Sequence, residues 1–398
     1  MIKKKNILFY SVVFLFFFTF INLLSFIAIK IITKKNIYSN DYIEFKKRFR
    51  KSASKSTYPH PFFGFGVKQN FSSNDLLNDE PIFVNDLNLI DSNNKIKVLI
   101  LGGSVAKHLS LNNSNDTIKF KQNILNNEDI FENSLNNFFN TKKFKVYNAA
   151  IDGGKQPQQL FKLYYLDLME LEFDIIINLD GFNELALPLS ENYAINDHLI
   201  YPRNYSRLIS TFNSSFECLN DINKRVNRFS YMPIIEIYDL YNIRNCHFSL
   251  EGANKNTGSR FSTITNYKKK SFTDALKVSK KIWKISSDKI FEFSNKKNIL
   301  YIHILQPNLY LDKSKKLTKK EKSLLNYQKY GNIISNYYGT LNMESLNAKN
   351  KLDLRYLFKD NTKELYRDFC CHLNNLGMHL ISIKIIENFQ EEFNFYLD

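Results

Sequence analysis

The chain has 398 residues, is 44% hydrophobic and 24% charged, and carries a net charge of +16. That apolar share supports a sizeable core and excludes a disordered, highly charged polymer. Lys and Arg are spread along the chain rather than gathered with aromatics on one face, which argues against a nucleic-acid partner and fits anionic lipid head groups or polymers better.

Residues 7–29 carry no charge, and Val12 to Phe18 is an unbroken apolar run. Such a stretch is long enough to cross a bilayer as one helix. Its exit, Ile29-Lys30-Ile31-Ile32-Thr33-Lys34-Lys35, lacks the small-residue site of a cleaved signal. Residues 7–33 are therefore read as an uncleaved, single-pass transmembrane anchor. Lys3, Lys4 and Lys5 before the run nearly cancel Lys30, Lys34 and Lys35 after it, so charge leaves the orientation open.

Residues 34–94 are polar and irregular around the aromatic island Tyr58-Pro59-His60-Pro61-Phe62-Phe63-Gly64, and read as a linker that becomes an outer layer. Residues 95–398 read as one domain. Its strands are expected at Lys95–Leu101, Phe144–Ile151, Asp174–Leu179 and Asn298–Leu305, as β-branched apolar runs that stop at Gly or Pro. Helical spacing marks Gln156–Glu172, with Pro157 near its start, and Leu376–Phe393. Strands alternating with helices predict an α/β fold of three layers, a parallel sheet flanked by helices. The stretch at about 186–295 breaks that rhythm and reads as a mostly helical insertion.

Four cysteines do not make a disulfide framework. Cys218 and Cys246 would pair if their segment lies outside the cytoplasm, and otherwise remain two buried thiols. Cys370-Cys371-His372 and Cys246-His247 bring metal-ligand residue types together, but no Cys-x-x-Cys spacing accompanies them. Neither a metal nor an organic cofactor is expected.

Ligands of open α/β sheets bind outside the carboxyl ends of the strands. There this chain places Gly102-Gly103-Ser104, Gly153-Gly154 and Gly181-Phe182-Asn183-Glu184, and later Asp368-Phe-Cys-Cys-His372. A serine that attacks, a histidine that takes its proton and a carboxylate that orients the ring are what acyl transfer needs. A glycine N–H and an asparagine amide suit a developing oxyanion. Gln306 and Asn308, after the fourth strand, and Glu184 are candidate substrate contacts at the same rim. His303, within a strand, and the single Trp283 read as structural, and Cys370 and Cys371 as packing beside the site.

In that order, Val98-Leu-Ile-Leu-Gly-Gly-Ser104, Tyr147-Asn-Ala-Ala-Ile-Asp-Gly153, Asp180-Gly-Phe-Asn183 and Asp368 to Gly377 resemble the SGNH hydrolases, the GDSL-like lipases and esterases. The resemblance covers about residues 95–185 and 297–385 and implies a flavodoxin-like sheet. It also implies Ser104 as nucleophile, His372 as general base and Asp368 as its partner. Gly153 N–H, the Asn183 side chain and Ser104 N–H are the implied oxyanion donors. Two positions depart from the family. Gly103 stands where the motif has Asp, and Asp368 precedes His372 by four residues rather than three. The longer spacing gives a triad if the carboxylate reaches the ring, and otherwise a Ser-His dyad with a backbone carbonyl orienting the imidazole.

Three functions follow as alternatives: an esterase removing an O-acyl group, an acyltransferase in which a polysaccharide hydroxyl replaces water, and an inactive SGNH-like binding protein. The anchor, the insertion and the basic surface suit an acyl ester on a cell-envelope polysaccharide or lipid. On that reading the domain is extracytoplasmic, in the periplasm.

Overall fold

The computed structural model describes residues 4–33, 57–60, 63–67, 94–110, 130–203, 233–234, 237–238, 271–325 and 328–397. Cys218 and Cys246, most of the 34–94 linker and residues 204–232 and 239–270 of the expected insertion lie outside them. The chain divides into two compact units, Met1–Tyr58 with Ser206–Ser262, and Pro59–Tyr205 with Thr263–Asp398.

The first unit contains α1, Lys4–Thr33. Within it Phe9–Ile31 spans 23 residues at a mean hydropathy of 2.6, long and apolar enough to cross a membrane. Phe14, Phe16, Phe17 and Leu23 on this helix are exposed. Apolar side chains so arranged call for a non-aqueous neighbour. A small separate sheet pairs β1, Thr57–His60, with β2, Gly64–Val67.

The second unit contains the main sheet. Its strands are β3 (Ile96–Gly102), β4 (Phe144–Asn148), β5 (Ile175–Asp180), β6 (Leu300–Leu305) and β7 (Asn350–Asp353). All pair parallel, in the order β4-β3-β5-β6-β7. The expected α/β architecture is therefore the observed one, with β7 as an additional edge strand. Val98 lies in register with Val146 and Ile175, and Ile177 with Ile302.

Successive side chains of a strand point to opposite faces, so each strand feeds two cores. Val98, Ile100, Val146, Ile175, Ile177, Ile302 and Ile304 belong to one cluster, with Phe131, Leu135, Ile381 and Ile385. The last four come from α3 (Ile130–Phe138) and α9 (Asn375–Asn388). Leu99, Leu101, Tyr147, Ile176 and Tyr301 face the other way. They meet Leu160, Leu163 and Leu166 of α4 (Gln158–Leu168) and Ile290 of α6 (Phe272–Lys296). Each such fully buried aliphatic side chain contributes roughly 1.5–3 kcal/mol. With helices on both faces, the inner strands β3, β5 and β6 are buried on both sides almost throughout, which is why they read as continuous apolar runs.

Strand order also locates the crevice. From β3 the chain crosses to β4 on one side, whereas from β5 it crosses to β6 on the other. The two connections diverge at the carboxyl ends of β3 and β5, which is where such sheets open to a ligand. Into that opening run α2 (Ser104–Lys107), directly after β3, and α5 (Phe182–Leu187), directly after β5.

Candidate active site

Ser104 is the first residue of α2, placed there by the turn Gly102-Gly103. Its Oγ lies 2.6 Å from Nε2 of His372. On the far side of the ring, Nδ1 of His372 hydrogen-bonds Oδ2 of Asp368. The three expected residues thus form one continuous chain of contacts across a sequence separation of 268 residues.

The four-residue spacing is absorbed by a closed loop. Tyr366 and Leu373 form an antiparallel bridge, and Arg367 N–H donates to His372 O at 3.0 Å. Asn374 N–H donates to Leu365 O at 2.8 Å. Inside this pinched loop, Oδ1 of Asp368 accepts from the backbone N–H of Cys370 at 3.0 Å, and from those of Cys371 and His372 at 3.3 Å. The extra residue is spent curling the backbone around the carboxylate, whose other oxygen remains for the imidazole. Burial pushes the Asp368 carboxyl up. The hydrogen bond and charge of His372 and the backbone N–H donors outweigh it, so its pKa lies below the ordinary 3.8.

Two side chains hold this loop from β6's exit. Asn308 Nδ2 donates to Cys370 O at 3.5 Å while its Oδ1 accepts from Tyr310 N at 2.9 Å, and Tyr310 Oη donates to Phe369 O at 2.6 Å. Asn308 is fully buried, with 0% exposure. Gln306 is also buried, its N–H on Asp180 O at 3.0 Å and its carbonyl receiving Tyr338 Oη at 2.7 Å.

The other side of Ser104 is built by α5 and the loop after β4. Asn183 Nδ2 donates to Gly154 O at 2.7 Å. A Cβ on Gly103 would lie only 2.2 Å from that same Nδ2, so the Asn183 amide rests directly against the residue before Ser104. Absence of a side chain at position 103 is what makes the approach possible, and an Asp there collides with it. Gly153 sits at φ +71°, a conformation that favours glycine, and Arg203 packs against it. Ile151 N–H donates to Gly102 O at 3.3 Å, tying this loop to the end of β3. Behind it, the buried Lys155 donates to Leu199 O at 2.6 Å, and burial brings its pKa down to about 7.

Glu184, 3% exposed, turns inward. Its Oε2 accepts from Gly181 N at 2.7 Å, and its Oε1 from Gln156 N at 3.2 Å and Gln159 Nε2 at 3.1 Å. Burial first, and then the charge of Asp180, raise its pKa well above the ordinary carboxylate range. Asp180 is in turn surrounded by donors: Trp283 Nε1 at 2.9 Å, His303 Nε2 at 3.0 Å and Asn178 Nδ2 at 2.8 Å. Ser287 Oγ lies 2.6 Å from Nδ1 of His303. This buried network fixes the Gly181–Asn183 turn from below. The side chains of Glu184 and Asn308 have partners inside the protein, and Gln306 is held through its backbone N–H and carbonyl.

Two residues beside the site carry no sequence motif. His108 stands one helical turn after Ser104, and its ring meets that of His372 edge to face with centroids 5.1 Å apart. Arg367 Nη2 lies 2.9 Å from His108 Nε2. Burial, then the charges of Arg367 and His372, bring the His108 pKa down to about 3. His108 is therefore neutral at neutral pH and accepts from the guanidinium. Lys107 pairs with Asp152 at 2.9 Å on the same rim. A spacing of four residues from a helix-starting serine is the signal that would have singled out His108.

No family model and no curated protein matches this chain. Among solved structures, it is similar to a "putative GDSL-like lipase" from Parabacteroides merdae ATCC 43184, at 12% identity and a TM-score of 0.31, covering 75% of this chain and 97% of that one. It is also similar to LAE5, an alpha/beta hydrolase enzyme from the metagenome of Lake Arreo, Spain, at 10% identity and a TM-score of 0.32, covering 73% and 94%. Likeness this remote leaves the chemistry to rest on the residues of this chain.

Proposed function

We propose that this chain is a serine acyl-hydrolase that cleaves an O-acyl ester through a Ser104 acyl-enzyme. The observation that carries the reading is the unbroken contact chain from Ser104 Oγ through His372 to Asp368. His372 Nε2 takes the hydroxyl proton as Oγ attacks the ester carbonyl. Asp368, its pKa held low, stays ionised at neutral pH, fixes the tautomer and stabilises the imidazolium. The new oxyanion is received by the Ser104 and Gly153 N–H groups and the Asn183 amide. Collapse expels the alcohol, which takes the proton back from His372, and water then repeats the sequence to release the acid. A sugar hydroxyl in place of that water gives acyl transfer from the same intermediate.

Asn308 and Tyr310 act as positioning residues for the Asp368–His372 loop, and Glu184 for the Gly181–Asn183 turn. With α1 as a membrane anchor, the substrate class that fits is an acyl ester of an envelope glycan or lipid. Exposure to a fluorophosphonate probe tests the nucleophile. Labelling of the folded protein that disappears in Ser104→Ala is the expected result, and equal labelling of both, or of neither, removes the proposal. Turnover of an activated acyl ester with and without glycan acceptors then separates hydrolysis from transfer.

A further inference from the structure

The loop that bears Asp368 and His372 also bears two adjacent thiols that the hydrolytic mechanism does not use. Cys370 Sγ and Cys371 Sγ lie 2.8 Å apart, and both are free cysteines. Together with a ring nitrogen of His372 their ligand atoms all fall within 4.8 Å of one another. Two sulfurs and an imidazole are the donors preferred by zinc-group cations. Cys370 is partly exposed and offers the entry path, while Cys371 is buried behind it. For a tetrahedral ion with sulfur bonds of about 2.3 Å, the two sulfurs must stand about 3.8 Å apart, an opening of roughly 1 Å. Side-chain rotation supplies that much.

We propose that Cys370, Cys371 and His372 form a binding site for a thiophilic divalent cation, and that its occupation disarms Ser104. Binding exchanges the two thiol protons for the ion, with both protons released to solvent. The imidazole nitrogens of His372 are engaged with Ser104 on one side and Asp368 on the other. Whichever nitrogen turns to the metal, one of those two contacts is lost. Ion binding and serine activation are mutually exclusive by this geometry, which makes the site inhibitory. The inhibitory half of the proposal rests on the function proposed above, whereas the binding half does not.

The test uses the full chain in detergent, metal-free and fully reduced, in a Cys218→Ser/Cys246→Ser background so that two of the four cysteines remain. Cd2+ is the probe, read by thiolate-to-cadmium charge-transfer absorption. One ion per chain is expected. Affinity should fall in Cys370→Ser/Cys371→Ser by more than the roughly 10- to 100-fold that loss of a mere supporting partner costs. His372→Gln should weaken binding by about 10-fold or more on the same scale. Fluorophosphonate labelling of Ser104 should be lost in step with Cd2+ occupancy, with a chelator restoring it. Absence of a charge-transfer band overturns the site. A band with unchanged affinity in His372→Gln and unchanged labelling overturns the inhibitory geometry. If the metal-free protein is not labelled at all, it is the hydrolase reading that has failed, and the titration with His372→Gln still decides the site.

Discussion

Gly103→Ala, and more so Gly103→Asp, should lower kcat about 100- to 1,000-fold while leaving the fold standing. The new Cβ would lie 2.2 Å from Asn183 Nδ2 and 3.1 Å from Gly154 O. Gly103 has φ −92°, open to any residue, so the backbone itself raises no objection. The clash is relieved by swinging the Asn183 amide away, which breaks its 2.7 Å bond to Gly154 O. Losing that buried hydrogen bond costs about 1–3 kcal/mol. Losing an oxyanion donor costs about 100- to 1,000-fold in kcat, or roughly 2.7–4 kcal/mol of transition-state stabilisation. The two numbers separate the effects: for a domain of this size the stability loss lowers Tm by only about 2–4 °C per kcal/mol. The assay is kcat and KM on an activated aryl ester beside thermal melting. An alanine variant within about 3-fold of wild-type kcat, or an active aspartate variant, refutes the placement of Asn183 as an oxyanion donor.

Asp368→Asn should lower kcat by up to about 10,000-fold, because an amide facing Nδ1 selects the wrong tautomer. The depressed pKa of Asp368 gives stability that is complete above its ordinary value of 3.8 and is lost as pH falls through the folded value. The variant's Tm should therefore decline less steeply in acid, and an identical acid limb would refute the assignment. Glu184 runs the other way. Folded protein keeps a proton that the unfolded chain releases above 4.5, so its contribution falls as pH rises from there toward the folded value. Glu184→Gln should flatten that slope in chemical denaturation, and equal slopes would sink the idea. Tyr310→Phe removes the 2.6 Å bond to Phe369 O and should cost about 1 kcal/mol, seen as roughly a 5-fold lower kcat with KM little moved. Unaltered kcat would show that the loop holds itself.

Four of the five strands were legible because burial on both faces forces apolar, β-branched runs, as in Lys97-Val-Leu-Ile-Leu101 and Ile175-Ile-Ile177. The fifth, Asn350-Lys-Leu-Asp353, is an edge strand with one buried residue, so it has no such run to read. Ser104, Asn183 and His372 were visible through the order of short motifs. The reach of Asp368 was not, since the bridge between Tyr366 and Leu373 joins residues whose pairing has no local signal. For Glu184, Gln306 and Asn308 the sequence shows polarity at a strand end but not the direction a side chain takes. The side chains of Glu184 and Asn308 meet the backbone of Gly181 and Cys370, whereas Gln306 meets Tyr338 through its own backbone carbonyl.

The distance along the chain between Ser104 and His372 also sets a clock. A contact spanning 268 residues carries a loop-closure cost that local helices do not. During synthesis the apolar helix α1 emerges before Ser104, and Ser104 long before His372; a serine without an imidazole is an ordinary alcohol. The contact between Ser104 and His372 needs the loop that carries Asp368 and His372 in place. On the proposed function, any chain that stops short of residue 372 holds the serine without its base and is silent rather than uncontrolled.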